Sequence, residues 1–150
     1  MGSVVIGIDP DSEKYGFAGY LDGTLKHLEE IQLPQLVAKL LKLKADHKVL
    51  VSIEDVMANK FIYGRNEKQS KAAQSKVGMS VGRCQQSQVE LMRWLDYHGI
   101  AYKLHKPQKG NWADNKALFE KITGWKGRSN ADTRSASYFG WLALGAVKNG

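Results

Sequence analysis

Three acids stand where structural elements begin or end. Asp9 closes the apolar run Val4-Val5-Ile6-Gly7-Ile8, and Glu54 closes a second run, Val49-Leu50-Val51-Ser52-Ile53. Asp132 falls in the first turn of a helical pattern near the C-terminus. The two runs are short and β-branched, as buried central strands are. An acid closing such a strand sits at the end of the sheet with its carboxylate directed out of the core. Two carboxylates delivered by strand ends can converge on one point, and a divalent cation is the usual reason to gather them. Carboxylate oxygen suits Mg²⁺ or Mn²⁺. The lone thiol, Cys84, is a poor alternative ligand and excludes both an internal disulfide framework and a multi-cysteine zinc site. Taken singly each acid has a plainer use, as a turn former or as a negative charge at a helix N-terminus. Together, in this order and on a basic chain, they suit phosphodiester hydrolysis, where two metal ions bridged by carboxylates activate water and stabilise the leaving oxygen.

The elements that must position these acids follow from the pattern. After the strand ending at Asp9, Gly16 to Tyr20 reads as a strand returning antiparallel, and Asp22-Gly23 is a hairpin turn leading to a third strand from Thr24 to Leu28. Pro34 opens a helix with Leu36, Val37, Leu40, Leu41 and Leu43 on one stripe. That crossover makes the strand from Val49 to Ile53 parallel to the first. Ala58 to Ala73 is polar and basic, a loop or a helix start. Val77 to Tyr97 is helical with Gly99 as its stop, and Ile100 to Leu104 is a fifth strand. A short helix from Lys116 to Ile122 and a last one from about Ala131 to Val147 complete the chain. Ala136, Phe139, Gly140, Ala143 and Leu144 form the close-packing face of that last helix. The order describes a mixed five-stranded α/β sheet, three antiparallel strands then two parallel ones, with helices on both faces.

The chain has 150 residues and a formal net charge of +7. That length is one domain, residues 1–150, with no internal repeat. The basic balance suits a polyanion such as nucleic acid. No apolar run approaches the roughly 20 residues that span a bilayer, and the N-terminus lacks a signal-peptide pattern. A soluble, intracellular protein is the expectation.

Lys60, Arg65, Lys68, Lys71 and Lys76 cluster with Phe61 and Tyr63. Basic side chains neutralise phosphates and exposed rings stack on unpaired bases, although Phe61 and Ile62 could equally anchor this segment to the core. Lys106, Lys109 and Lys116 follow the fifth strand, and Arg128 and Arg134 flank Asp132; all five read as phosphate-positioning residues. His27 and His47 read as solvated, His98 as a cap on the helix stop, and His105 as a neighbour of the basic loop. Trp94, Trp112, Trp125 and Trp141 read as core or interface residues, with Trp112 and Trp125 also possible DNA contacts.

Several segments resemble the RuvC family of Holliday-junction resolvases, within the ribonuclease-H-like superfamily. Ile6-Gly7-Ile8-Asp9-Pro10, with Gly16 downstream, resembles that family's I-x-x-I-D-P-G opening. Glu54-Asp55-Val56 resembles its E-x-V segment, and Val77-Gly78-Met79-Ser80-Val81-Gly82 its L-G-x-x-x-G helix. Lys106-Pro107-Gln108-Lys109 resembles its post-strand proline and basic loop, and Asn130 to Ala136 falls where it places a last acidic pair. The resemblance implies a ribonuclease-H-like fold and a homodimer that binds a four-way DNA junction and nicks opposed strands with two Mg²⁺ ions, or Mn²⁺, per site. Asp9 would bridge the metals, Glu54 complete one site, and Asp132 hold the second ion, with Ser135 as a further ligand. The helix from Val77 to Leu95 would form the dimer contact. Two positions depart from the family pattern. Ser135 stands where an acid is usual, and Asp11 replaces the glycine after Asp-Pro. Asp11 and Asp55 are the nearest sources of the missing charge. The departure keeps two other readings open: a junction-binding protein with weakened catalysis, and a related nuclease acting on another branched DNA or on an RNA–DNA hybrid. A phosphate loop of the sugar-kinase kind would need a second lobe for which 150 residues leave no room.

Overall fold

The C-terminal helix, Ala131–Lys148, lies almost in contact with the backbone of the first strand, and this approach fixes the geometry of the molecule. The computed structural model describes residues 2–58 and 71–148, with the backbone alone at 71–75, 77 and 146–148. Its elements run β1 (Ser3–Pro10), β2 (Tyr15–Leu21), β3 (Thr24–Ile31), α1 (Leu33–Asp46), β4 (Lys48–Glu54), a 3₁₀ turn (Val56–Ala58), α2 (Lys71–His98), β5 (Ala101–His105), α3 (Lys116–Thr123) and α4 (Ala131–Lys148). The sheet order is β3-β2-β1-β4-β5. β1–β2 and β2–β3 are antiparallel; β1–β4 and β4–β5 are parallel. The mixed five-stranded sheet read from the sequence is therefore the observed one, with helices on both faces.

The Asp22-Gly23 turn forms as its residue types require, with φ of 48° and 87°. Alternation in β1 sorts the core into two layers. Val4, Ile6 and Ile8 join Phe17, Leu36, Leu40, Val51, Ile53, Leu91 and Leu95 on the α1/α2 side. Val5 joins Ala18, Tyr20, Trp112, Phe119, Ala136 and Ala143 on the α3/α4 side. Trp112 is thus a core residue and not a DNA contact: it is 3% exposed, edge-on to Tyr138 at 5.2 Å. Trp125 is partly buried against the same layer, and its indole N–H donates to the Arg128 carbonyl.

Glycine makes the close approach of α4 feasible. A Cβ at Gly7 would fall 1.9 Å from the Ala136 carbonyl oxygen, and one at Gly140 would meet Gly7 Cα at 3.2 Å. Two buried hydroxyls bond across the layers, Ser52 to the Phe139 carbonyl (2.6 Å) and Tyr20 to the Ser137 carbonyl (2.7 Å).

Helix α2 already includes Lys71, six residues before the start expected at Val77. The rest of the basic and aromatic cluster, Lys60, Phe61, Tyr63, Arg65 and Lys68, lies outside the described residues. Among the described residues no helix is long and apolar enough to cross a membrane.

Gly7→Ala should lower the melting temperature by the equivalent of about 2–3 kcal/mol or more, since the clash is with helix backbone that cannot rotate away. Gly82→Ala, at a helical site with open space around it, should instead stabilise by about 0.5–1 kcal/mol. Thermal denaturation of both variants checks the contrast; equal effects would contradict the tight packing at Gly7.

Candidate active site

The side-chain period of two carries the acids to a common face. In β1 the odd residues Val5 and Gly7 face α4, so Asp9 does too. In β4 Ser52 bonds α4 and Glu54 lies two residues further on the same face. The parallel register pairs Ile8 with Ile53, which sets Asp9 and Glu54 side by side at the carboxyl ends of adjacent strands. That edge is where open α/β sheets present their binding crevices.

Asp132 reaches the same place from above. Gly16, paired with Asp9, lies under the first turn of α4: a Cβ there would meet the Asp132 carbonyl oxygen at 2.4 Å and Asp9 Cβ at 3.3 Å. The helix start is locked by a reciprocal cap, in which Thr133 N–H donates to Asn130 Oδ1 and Asn130 N–H donates to Thr133 Oγ1, each at 2.9 Å. Asn130 also bonds Glu30 of β3 through its side-chain amide. The Arg134 guanidinium donates to the Ala113 carbonyl (3.2 and 2.8 Å) and to Ser129 Oγ (3.0 Å), tying α4 to the loop before α3.

The electrostatics record the crowding. Burial raises the Asp9 carboxyl to about 8, with the Glu54 and Asp132 charges adding to the shift. Glu54 and Asp132 are also raised, chiefly by burial, with Asp132 acting on Glu54 and Asp11 and Glu30 acting on Asp132. Asp9 and Glu54 share a hydrogen bond and titrate as a pair. The Ser135 hydroxyl faces Asp9 and partly offsets its shift, yet its buried oxygen has no well-aligned partner. Among the described residues no lysine or arginine forms an ion pair with these acids.

This donor set fits a hard divalent cation: it is all oxygen, carries uncompensated negative charge, and includes an unpartnered buried hydroxyl. Asp9, Glu54, Asp132 and Ser135 would hold the metal. Among the described residues no three His, Cys, Asp or Glu side chains already surround a common point, so the acids share a pocket without being closed around one position.

Solved structures similar to this chain include Thermus thermophilus RuvC in complex with a Holliday junction substrate, at 17% identity and a TM-score of 0.59, covering 98% of this chain and 96% of that one. Thermus thermophilus RuvC in a second structure gives 17% identity and a TM-score of 0.53 over 97% and 96%. No protein-family model matches the sequence, and no curated protein matches it. The fold is ribonuclease-H-like.

Within that fold the other sequence-derived residues divide. Lys106 directly follows His105, the β5 residue paired with Glu54, so it is exposed at the same edge of the sheet as the acids; Lys109 is exposed in the turn that follows. Lys116 is exposed at the start of α3, Arg128 is exposed before α4, and Lys76 is exposed on α2. Arg134 is committed to the loop contacts above. Asp55 points away from the acids: its carboxylate accepts from Gln88 Nε2 (2.9 Å) and Met57 N–H (3.1 Å). Asp11 instead stands beside Asp132. Two residues that sequence reasoning undervalued belong here. Gln88, 0% exposed, anchors the backbone just after Glu54 from α2, also accepting from Met57 N–H. His105 shares the face of Glu54, and its Nε2 is buried without a partner. Strand parity would have flagged His105; an isolated Gln in a helix carries no such signal. A concavity of about 430 Å³ between α1 and the far end of β1 contains none of the three acids.

A carboxyl whose folded pKa is raised binds more protons folded than unfolded, so ionising it costs stability. The metal-free protein should therefore lose stability as pH rises from about 4, the ordinary carboxyl range, through the Asp9 value of about 8. Asp9→Asn should flatten this slope and raise the melting temperature at pH 8. Melting curves in chelator between pH 5 and 9 check it; an unchanged slope would contradict the shift at Asp9.

Proposed function

We propose that this chain is a metal-dependent, structure-selective DNA endonuclease that binds four-way junctions as a homodimer and nicks opposed strands. What carries the reading is the meeting of Asp9, Glu54 and Asp132 at the carboxyl edge of a ribonuclease-H-like sheet, in a chain of net charge +7. A Mg²⁺ or Mn²⁺ pair held there supplies Lewis acidity to a phosphodiester and to the water that attacks it. Asp9, Glu54, Asp132 and Ser135 would hold the metal, with Asp9 placed between the other two acids.

The remaining residues orient and bind. Gln88 fixes the turn after Glu54, and the Asn130–Thr133 cap fixes the helix turn that carries Asp132, so the backbone bearing both acids is held by contacts that do not involve substrate. Lys106, Lys109, Lys116, Lys76 and Arg128 position phosphates, with Lys71 and the segment bearing Lys60, Phe61, Tyr63, Arg65 and Lys68 serving the junction's centre. Arg134 acts through the loop that it holds. A two-fold dimer suits a junction whose opposed strands are related by two-fold symmetry. Helix α2 is the proposed contact, since Met79, Trp94 and Tyr97 are exposed on it.

The test is cleavage of a mobile four-way junction in Mg²⁺ and in Mn²⁺, against duplex and RNA–DNA hybrid competitors. Asp9→Asn and Glu54→Gln should each remove detectable nicking while junction affinity is retained or improved. Affinity should fall on the order of 10³-fold between 50 and 200 mM salt if six or more phosphates are contacted. Cleavage retained in either variant would remove that residue from the metal site. Binding without nicking in both metals would favour the weakened junction-binding reading that Ser135 motivates, and preference for the hybrid would redirect the substrate.

A further inference from the structure

We infer that Asp11, in the turn between β1 and β2, supplies the carboxylate that position 135 lacks and holds the second divalent cation together with Asp132. The inference rests on the metal-dependent reading above and names a ligand within it. Asp11 follows the last rung of the β1–β2 ladder, Pro10 with Tyr15, and so lies one residue beyond β1 and two beyond Asp9. There it stands between two helices. Cys84 Sγ of α2 approaches its Oδ1 at 3.8 Å, and on the other side is the Asp132 side chain of α4.

A turn role alone does not account for this placement. The Asp11 carboxylate accepts Ser12 N–H at 2.7 Å, a local bond that Asn or Ser would also make. A negative charge set against Asp132, with no lysine or arginine paired to either among the described residues, is a cost to the folded chain unless a cation joins them. Ser135 gives the independent sign that a ligand enters the acid cluster of which Asp11 and Asp132 form one side. It is 2% exposed, lies beside Asp9, and its Oγ has no partner of good geometry. An oxygen ligand is therefore kept at the helix position while its charge is not. Asp9, Glu54, Asp132 and Asp11 together balance two divalent cations; the first three alone leave them undercompensated.

Mn²⁺ uptake by the full chain, read from loss of the free-ion paramagnetic resonance signal, tests this without reference to activity. The wild type should take up two ions. Asp11→Asn should weaken the second about tenfold or more and leave the first close to wild type, because affinity follows ligand charge. Asp22→Asn, at the other end of the sheet, should match the wild type. Asp11→Ser keeps the acceptor for Ser12 and serves as the second variant should the first fold poorly. Two ions bound at wild-type affinity by Asp11→Asn would overturn the inference, as would a wild type that binds a single ion. If Asp9→Asn loses ions while Asp11→Asn does not, the inference alone fails. A wild type that binds none removes the inference and the metal-dependent reading together.

Discussion

Three carboxyl groups gathered into one enclosed place are the constraint around which this molecule is arranged. Asp9, Glu54 and Asp132 come from elements distant in the chain, and each is raised above the ordinary carboxyl range, chiefly by burial; Glu54 and Asp132 add to the shift at Asp9, Asp132 to that at Glu54, and Asp11 and Glu30 to that at Asp132. Left to electrostatics alone they would separate. They are held by contacts that do not yield easily: the near-contact of α4 with β1 at Gly7 and Gly140, the Asn130–Thr133 cap, and the buried Gln88 behind Glu54. The cost of the site is borne by packing elsewhere, as is usual where strain or charge is stored for use.

This arrangement links the two properties that seemed unrelated in the sequence. The chain is basic overall, yet its most enclosed charges are acidic. A basic exterior draws a polyanion in, whereas an acidic centre repels its phosphates until a cation intervenes. Under the proposed function, metal and nucleic acid are therefore each other's condition for binding productively at the acids. Under that proposal Lys106, which directly follows the β5 residue paired with Glu54, would hold the backbone beside that centre.

Much of the fold was legible because its signals are local. Alternation and β-branching marked β1 and β4, Asp22-Gly23 marked the hairpin, and Pro34 with its leucine stripe marked α1. Asp9 and Glu54 were legible as a pair for the same reason, since strand ends and a parallel crossover fix where their carboxylates go. Other features depend on contacts between distant residues and left no local trace. Trp112 sits in a loop rich in polar residues, with φ of 66°, yet fills the core between Phe119 and Tyr138. Asp55 neighbours Glu54 in sequence but lies on the opposite strand parity and turns to α2, whereas Asp11 turns to α4. Arg134, read as a phosphate contact from its place beside Asp132, uses its guanidinium on a backbone carbonyl twenty-one residues away. Each case was decided by which element packs above the residue, and no periodicity encodes that.

The most direct measurement is the anomalous scattering of crystals grown or soaked with Mn²⁺. The account predicts density for the ion between the carboxylates of Asp9, Glu54 and Asp132, under the first turn of α4. Ions bound only elsewhere, with those three carboxyls unliganded at saturating Mn²⁺, would contradict it.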